Sequence, residues 1–307
     1  MPHPTTASSK AGLRARTAAF AICVAAVVAV SWRFLHEFFA QSLQQGYSSQ
    51  SVLVPFITAY LIWSARKTIF SGIRCSILPG LLVTFAGAAF YVGAMFGQQQ
   101  QTAVMAAKLF GVLLMIVGAF IASYGIAAFR ASLFPLFLLL LMMPIPEATA
   151  DRIIGFLQVQ SAALSYHLFS LIGVPVYRDG VLLTVPGVTI EVAKECSGIN
   201  SSVALLLTAL LVAWQTLRTP ARRTILVLLT LPLSIIKNAV RIVTLTLLAL
   251  YVDPSFLTGR LHHQGGFVFF VLALTLFYPI WLLLQKTERA RSSAMGAEPL
   301  SAETAAQ

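Results

Sequence analysis

Long apolar segments separated by short polar connections dominate the order of hydrophobic and polar positions along the chain. A hydrophobic segment of about 20 residues is long enough to cross a bilayer as a helix. The apolar runs predict eight such segments, at about residues 17–35, 51–64, 78–96, 103–123, 126–143, 198–217, 224–251 and 266–285. The second is short, and its start could lie earlier. The pattern therefore predicts an all-α polytopic membrane protein with about eight transmembrane helices.

The connection between the fifth and sixth segments, residues 144–197, has a different pattern. Pro144 and Pro146 end the preceding helix, because proline cannot continue one. Apolar residues recur with helical spacing over 151–172, which indicates an amphipathic helix at the membrane interface. In VYRDGVLLTVPGVTIEV, which follows, turn signals separate alternating residues and predict a small β-hairpin. Such a hairpin could offer a strand edge to an extended peptide.

Composition and charge support a membrane protein and give it an orientation. Charged residues make up 10% of the chain, whereas soluble domains carry about a quarter. The net charge is +11, and Lys and Arg cluster before the first segment, after the last and in alternate connections. By the positive-inside rule these regions are cytoplasmic, so both termini lie inside and residues 144–197 lie outside. The positive charge thus indicates cytoplasmic loops beside the lipid bilayer and not nucleic-acid binding.

These features divide the chain into four parts. Residues 1–143 hold the first five transmembrane helices, and residues 144–197 hold an extracytoplasmic amphipathic helix and hairpin. The last three transmembrane helices occupy residues 198–285. Residues 286–307 are polar and Ala-rich, which predicts a disordered cytoplasmic tail. The first apolar segment is not followed by a clear small-residue cleavage site, so it is predicted to be an anchor and not a removed signal peptide.

The sequence motifs of common cofactor-dependent and metal enzymes are missing. The chain contains no Walker loop, dinucleotide-binding fingerprint, Cys-x-x-Cys or His-Glu-x-x-His. Its three cysteines, Cys23, Cys75 and Cys196, are too widely spread to suggest a disulfide framework or a metal site. We therefore predict that the protein uses no cofactor and no metal.

Cys196 lies directly before the sixth predicted helix, in the segment ECSGINSS. Ser197 or Gly198 could cap this helix, which would place the thiol at the positive end of a helix dipole. Such a position favours the thiolate form of a cysteine. Nearby backbone N–H groups could also bind an oxyanion. By position alone an inert, packed cysteine is the commoner explanation, because free cysteines are commonly buried.

Arg241 lies well inside the seventh predicted helix, in IIKNAVRIVTL. A charge within the hydrocarbon region is costly and marks a functional site by default. If this helix enters from the cytoplasm near Thr224, Arg241 lies about 25 Å along it, near the level of Cys196. Asn238 and Lys237 come three and four residues earlier, on the same helix face. A snorkelling or structural ion-pairing arginine is the alternative.

His262 and His263 precede the eighth predicted helix, in TGRLHHQGGFVFF. Histidine exchanges protons near neutral pH, although two loop histidines taken alone are more commonly just exposed polar residues. Cys196, Arg241 and one of these histidines come from three distant segments and are predicted to reach the same outer face. Together they supply a nucleophile, a charge stabiliser and a proton carrier, which are the groups that covalent acyl transfer needs.

Taken in order across eight apolar segments, ECSGINSS, NAVRI and HHQGGFVFF resemble the exosortase/archaeosortase family. PLFLLLLMMPIP and DGVLLTVPGVTIEVAKECSG also resemble its conserved stretches, and the resemblance covers about Phe134 to Leu284. It implies a membrane-embedded cysteine peptidase, and specifically a transpeptidase, at the periplasmic face of a bacterial inner membrane. The implied partners are C-terminal sorting signals of exported proteins, such as the Pro-Glu-Pro class, and an unknown acceptor nucleophile.

The resemblance also implies roles for individual residues. Cys196 matches the nucleophile that forms a thioester, and Arg241 matches the group that stabilises the transition state. The family spacing His-x-x-x-Gly matches His262 with Gly266, so His262 is the expected proton donor or acceptor. Supporting or substrate-binding roles are expected for Ser197, Gly198, Asn238, Lys237 and His263.

Other function classes stay open from the residues alone. A non-enzymatic permease or exopolysaccharide-export component would use Arg241 and Lys237 to line an anion path, and would tolerate the loss of Cys196. A lipid-linked sugar or phosphate transferase would normally need an acidic metal-binding cluster, whereas the acids of the outer connections are scattered. A rhomboid-like serine protease would normally carry Gly-x-Ser-x-Gly, which this chain lacks.

Overall fold

The computed structural model describes residues 6–44, 50–71, 76–97, 100–192, 199–257 and 266–296. Within these ranges the chain is mostly helical and has a small antiparallel sheet. It forms two compact units, Met1–Thr149 and Ala150–Gln307. The predicted class, a helical membrane protein with a small β-structure, agrees with this architecture.

The first unit is built from helices. In chain order they are α1 (Thr6–Val30), α2 (Trp32–Gln44), α3 (Gln50–Ser64), α4 (Arg66–Ile69), α5 (Ile77–Met95), α6 (Gln101–Ala131) and α7 (Leu133–Leu138), followed by a 3-10 helix, Leu139–Met142. α1 and α5 pack against α6, and α3 packs against α7. The 3-10 helix ends just before Pro144, as the sequence predicts.

Glycines let α5 and α6 touch along their backbones. A Cβ added to Gly87 would lie 2.7 Å from the carbonyl oxygen of Gly111, and one added to Gly111 would lie 2.7 Å from the carbonyl oxygen of Gly87. These distances are too short for any larger side chain. Lipid tails give helices no hydrophobic reason to associate, so close packing of small residues is what holds such a pair together.

Gly125 interrupts α6 at the point where the sequence separates the fourth and fifth apolar segments. Its φ of 90° and ψ of 169° are not helical, and a positive φ of this kind is readily adopted only by glycine. The apolar pattern predicts the break between residues 123 and 126. The backbone therefore leaves helical geometry at the predicted position, although a helix resumes and continues to Ala131.

The second unit begins within α8 and contains the sheet and the last helices. Its elements are α8 (Glu147–Leu171), β1 (Tyr177–Asp179), β2 (Leu182–Val185), β3 (Val188–Glu191), α9 (Ile199–Thr216), α10 (Pro220–Leu228), α11 (Thr230–Tyr251), a 3-10 helix (Pro254–Leu257) and α12 (Gly266–Gly296). The amphipathic helix predicted over 151–172 is α8. The predicted segment 224–251 is divided at Leu229, because Pro232 has no N–H and its ring clashes with the carbonyl group four residues earlier.

The predicted β-hairpin is in fact a three-stranded antiparallel sheet in the order β1-β2-β3. The sequence contains two turn signals, and each closes a hairpin of its own. Gly180 joins β1 to β2 with a φ of 58°, and Gly187 joins β2 to β3 with a φ of 88°. The expectation of one hairpin was wrong because Tyr177–Asp179 is short and shows little alternation, yet it pairs fully with β2.

Two hydrophobic clusters form the core of the second unit. One joins α9, α10, α11 and α12, and its fully buried members are Leu205, Ala209, Ala213, Leu217, Leu226, Leu233, Ala273 and Phe277. The other joins the sheet to α8 and α11, and its members are Ala162, Phe169, Leu183, Val185, Val192, Ile242 and Val243. The sheet is thus held against the part of α11 that directly follows Arg241.

The described residues do not confirm the predicted count of eight membrane-spanning helices. Among the described residues, five helical segments are long and apolar enough: Gly12–Val30, Ile77–Met95, Gln101–Ala131, Pro220–Tyr251 and Gly266–Ala290. A sixth is possible if the helices over 133–142 and 147–171 count as one broken span. The predicted spans at 51–64 and 198–217 correspond to shorter apolar helical segments, Val52–Ser64 and Ser201–Thr216. The range 103–143 is largely taken up by α6.

The last helix continues beyond its predicted end. The sequence predicts a disordered tail from residue 286, whereas α12 extends to Gly296. Lys286, Arg289 and the alanines in this stretch are good helix formers, and Glu288 is buried against the turn between α9 and α10. This contact stabilises the extra turns. Residues 297–307 lie outside the described part of the chain.

Candidate functional site

A contact between two helices organises the candidate site. Ser201 lies in the first turn of α9, five residues after Cys196. The Nζ of Lys237, on α11, donates a hydrogen bond to the Oγ of Ser201. Lys237 is 2% exposed, so its ammonium group is held inside the unit. The start of α9 therefore lies beside the middle of α11.

Arg241 lies one turn beyond Lys237 on the same face of α11. A separation of four residues corresponds to about 6 Å along a helix. Arg241 is half-buried, and the next two residues, Ile242 and Val243, pack into the cluster that contains the sheet. Arg241 therefore lies along α11 between two contacts of this helix, one with the start of α9 and the other with the sheet.

Asn238 is the most unusual polar residue in this region. It is fully buried, and within the described part of the chain neither its Nδ2 nor its Oδ1 makes a hydrogen bond. A buried donor or acceptor without a partner costs about 1–3 kcal/mol, so such groups are rare in native proteins. Asn238 follows Lys237 directly and precedes Arg241 by three residues. Its amide thus adds an unused donor and acceptor to the same part of α11.

The sheet guides the chain to this part of α11. Val192, which follows β3, is buried with Ile242 and Val243. Its N–H donates to the carbonyl oxygen of Val181 at 3.1 Å, and its carbonyl oxygen accepts a hydrogen bond from Nε2 of Gln158, on α8. Val192 is therefore fixed on three sides, four residues before Cys196.

α8 is also attached to α11 one turn from the candidate site. Oγ of Ser165, which is fully buried, donates to the carbonyl oxygen of Ala239 at 3.5 Å. Ala239 lies between Asn238 and Arg241 in the chain. The amphipathic helix thus supports α11 at the level of the predicted site residues.

Five of the predicted site residues lie outside the described residues. They are Cys196, Ser197, Gly198, His262 and His263. Their positions in the chain can still be related to described neighbours. Cys196 comes four residues after Val192 and three before Ile199, where α9 begins. His262 comes four residues before Gly266, where α12 begins.

The connection that precedes the histidines contains a fixed carboxylate. Oδ1 of Asp253 accepts a hydrogen bond of 2.7 Å from the N–H of Ser255, at the start of the 3-10 helix. This bond, together with one from the Ser255 side chain, holds the pKa of Asp253 below its ordinary value. Asp253 therefore stays ionised at neutral pH and is unsuited to donate a proton there.

Two residues that make contacts at this site are not among the predicted site residues. Ser201 carries the hydrogen bond that joins α9 to α11, and Gln158 holds the end of β3. One feature of the sequence pointed to Ser201, namely the run of polar residues NSS at the start of an otherwise apolar helix. No such feature pointed to Gln158, because an isolated glutamine on an amphipathic helix is expected to face water.

The described residues include no group of three or more His, Cys, Asp or Glu side chains placed to hold a metal ion. Lysine, arginine and the asparagine amide instead dominate the described part of the site. A cation-rich, partly desolvated surface of this kind suits the stabilisation of negative charge that develops during acyl transfer.

A family model described as transmembrane exosortase matches residues 40–279 of the chain. The match includes α3 to α11, most of the membrane-spanning part of α12 and all the predicted site residues. No curated protein and no solved structure matches the chain.

Proposed function

The chain belongs to the transmembrane exosortase family, and on that premise we propose that it is a membrane cysteine transpeptidase. Its substrates would be exported proteins with a C-terminal sorting signal of the Pro-Glu-Pro type. Cys196 would cleave the signal through a thioester, and an acceptor nucleophile would then release the exported protein. The main support is the hydrogen bond between Lys237 and Ser201, which joins the helix that follows Cys196 to the helix that carries Arg241.

The two flanks of Cys196 support its role as the nucleophile. Before it, Val192 packs beside Ile242 and Val243, one turn or less from Arg241. After it, Ser201 contacts Lys237, one turn from Arg241 on the other side. Both flanks of the segment 193–198 are therefore attached to the same two turns of α11. This arrangement favours a thiol close to the Arg241 guanidinium.

The packing of α11 against α12 supports a role for His262. Leu233 packs with Ala273 and Phe277 in one cluster. Two consecutive helices that both cross the membrane run in opposite directions. Arg241 lies about 12 Å along α11 from Leu233, and Gly266 lies about 10 Å along α12 from Ala273, at 1.5 Å per residue. The start of α12, four residues after His262, would therefore lie near the level of Arg241.

These residues suggest a complete reaction sequence. The Cys196 thiolate attacks the scissile carbonyl carbon, and Arg241 stabilises the oxyanion that forms. The C–N bond then breaks, His262 gives a proton to the leaving amine, and a thioester remains on Cys196. An acceptor amine attacks the thioester, loses its proton to His262 and restores the thiolate. Attack by water at the same step would give hydrolysis.

We also propose the membrane arrangement that the charge pattern predicts. Eight crossings with both termini in the cytoplasm would place α8, the sheet and Cys196 at the periplasmic face of a bacterial inner membrane. The helix pair α9 and α11 would then present the site near the outer membrane surface. A substrate helix with a cytoplasmic basic tail would lie beside the bundle, and its cleavage motif would emerge next to Cys196.

The test is signal removal in cells. Reporters would carry C-terminal signals of the Pro-Glu-Pro class, including those encoded in the same genome, and would be followed by blot and intact mass. We expect wild type to remove the signal, Cys196→Ala to remove none, and Cys23→Ala, a matched change at an exposed cysteine, to behave like wild type. The product mass separates transfer from hydrolysis.

The opposite outcome has a clear meaning. Equal signal removal by wild type and Cys196→Ala at matched membrane abundance would exclude Cys196 as the nucleophile. A cellular export defect in Arg241→Ala but not in Cys196→Ala would instead favour the permease explanation, because an anion path needs the charge and not the thiol.

A further inference from the structure

The outer edge of β3 has no strand beside it. β3 is the last strand in the order β1-β2-β3, and no further strand of the described residues pairs with it. Thr189 and Glu191 on this strand are exposed, while Val188 and Ile190 turn towards the core. An exposed edge strand offers a row of free N–H and C=O groups to another extended chain.

The pairing register shows which backbone groups face outwards. The two-residue turn at Pro186 and Gly187 makes Val185 and Val188 a hydrogen-bonded pair. Hydrogen-bonded and non-hydrogen-bonded pairs alternate along an antiparallel ladder. Val188 and Ile190 therefore direct their N–H and C=O groups to β2. The same groups of Thr189 and Glu191 point away from the sheet.

Two further contacts agree with this assignment. The N–H of Val192, two residues after Ile190, donates to Val181 and so points inwards like those of Val188 and Ile190. The hydroxyls of Thr184 and Thr189 lie 3.3 Å apart, and side chains approach in this way in the non-hydrogen-bonded pairs of a ladder. The free edge therefore consists of the backbone groups of Thr189 and Glu191.

The edge of β3 leads directly to the nucleophile. Cys196 comes five residues after Glu191, and Val192 between them is fixed to α8 and α11. The opposite edge of the sheet is formed by β1. The chain continues from β1 into β2, so no predicted site residue comes directly after this strand. Its Arg178 is also committed, because its guanidinium donates to the carbonyl oxygens of Gly180 and Val159.

We propose that the free edge of β3 binds the substrate in extended conformation, as a fourth strand, next to the bond that Cys196 cleaves. The occupant is the backbone of the exported protein at its cleavage motif, and the inference rests on the proposed function. Because the contacts are made by backbone groups of Thr189 and Glu191, the edge selects an extended conformation and leaves the choice of side chains to other surfaces.

Proline tests the edge without removing the sheet. Thr189→Pro and Glu191→Pro each delete one outward N–H, and edge positions of this kind tolerate proline because no ladder bond is lost. Thr189→Ala and Glu191→Ala remove the side chain but keep the N–H. We expect kcat/KM for a cleavable reporter to be about tenfold lower for each proline variant than for the alanine variant at the same position, mainly through KM.

If a proline variant fails to fold, its thermal unfolding in detergent shows this. In that case a second measurement tests whether the substrate binds at the edge of β3. A reporter with a photo-crosslinking residue beside the cleavage site is irradiated with Cys196→Ala protein, which cannot turn it over. Crosslinks to residues 188–191 are expected. Equal kcat/KM for folded Pro and Ala variants, or crosslinks confined to other segments or to a second copy of the chain, would overturn the proposal. If wild type still cleaves through Cys196, the proposed function survives that result.

Discussion

The bundle of α9, α10, α11 and α12 has two ends, and they differ in the hydrogen bonds that their buried polar side chains make. At one end, named the Glu288 end, the buried Glu288 carboxylate accepts several hydrogen bonds, although Nη1 of Arg222 has no hydrogen-bond partner among the described residues. The other end contains Arg241, Lys237 and Asn238 and is named the Arg241 end. Its charged residues lie on one helix face, and the buried amide of Asn238 has no hydrogen-bond partner among the described residues.

Hydrogen bonds at the Glu288 end form a small network around one carboxylate. The Glu288 carboxylate accepts hydrogen bonds from the N–H groups of Arg218, at 3.1 Å, and Thr219, at 2.7 Å, and also from the Thr219 hydroxyl. Thr219 precedes α10, so the carboxylate caps that helix where its dipole is positive. Nε1 of Trp281 donates to Oγ1 of Thr216 at 2.8 Å.

The difference supports the proposal that the Glu288 end is structural and the Arg241 end is functional. A buried amide without a hydrogen-bond partner among the described residues, such as that of Asn238, does not favour stability. Nor does placing Lys237 and Arg241 four residues apart inside an apolar helix. Local rules of stability are typically broken where a site needs the groups for another purpose.

Replacing Arg241 should have the largest effect on activity. Arg241→Ala is expected to lower kcat/KM for signal cleavage by about 10²–10³, the usual loss when an oxyanion donor is removed. Arg241→Lys should recover little, because an ammonium group lacks the planar donor fork of a guanidinium. The measurement is reporter cleavage by purified protein, and Arg66→Ala, at an exposed arginine of the first unit, is the matched control. Wild-type kcat/KM in Arg241→Ala would remove the charge-stabilising role.

Breaking the contact between Lys237 and Ser201 should have the next largest effect. Lys237→Met is expected to lower kcat/KM about tenfold or more, because the start of α9 loses its attachment to α11 and small displacements in a site are costly. Ser201→Ala should lower it less. If the two residues act through one contact, the double variant should lose less than the product of the single losses.

The alkylation rate of Cys196 distinguishes a positioning role of Lys237 from a loss of folding. In a background with Cys23 and Cys75 replaced by alanine, Lys237→Met should change the rate and pH profile of alkylation while the protein stays folded. Lys67→Met, at an exposed lysine of the first unit, is the control. An unchanged alkylation profile in Lys237→Met would separate Lys237 from the nucleophile.

The Glu288 end should respond in stability and not in chemistry. Glu288→Gln is expected to lower the free energy of unfolding by about 1–3 kcal/mol, because hydrogen bonds to a charged acceptor become weaker neutral ones. The kcat/KM of the folded fraction should stay at the wild-type value. Chemical unfolding in detergent measures the first and reporter cleavage the second, with the exposed Glu147→Gln as the control. A catalytic loss without a stability loss would reverse the roles of the two ends.

The sequence predicted the Arg241 end better than the Glu288 end for a physical reason. Lys237 and Arg241 stand out because charge in an apolar helix is rare at any depth, so their spacing alone indicates a shared face. Glu288 lies in KTERARSS, where a carboxylate among basic residues looks like ordinary exposed polar sequence. Only folding shows that it reaches the turn before α10, 69 residues away in sequence.

The fold was predictable to a similar extent. Apolar runs located the helices, and Gly125 lies where the pattern predicts a break. The apolar pattern does not determine the number of crossings. Whether helices as short as α3 and α9 span the membrane depends on the helices packed around them. The third strand was missed because Tyr177–Asp179 gains its strand character from pairing with β2 and not from its own pattern.

Asn238 provides the sharpest and smallest test of the contrast. Alanine has no polar side-chain atoms, is smaller than asparagine and is a better helix former. Asn238→Ala therefore removes, without overpacking the interior, two polar groups that have no hydrogen-bond partner among the described residues. The free energy of unfolding should rise, by about 1 kcal/mol, while kcat/KM falls. The change in stability has the opposite sign to that expected for Glu288→Gln, and the same unfolding measurement gives both. A loss of stability in Asn238→Ala would mean that the amide is a structural group, and the Arg241 end would then differ from the Glu288 end only in its charges.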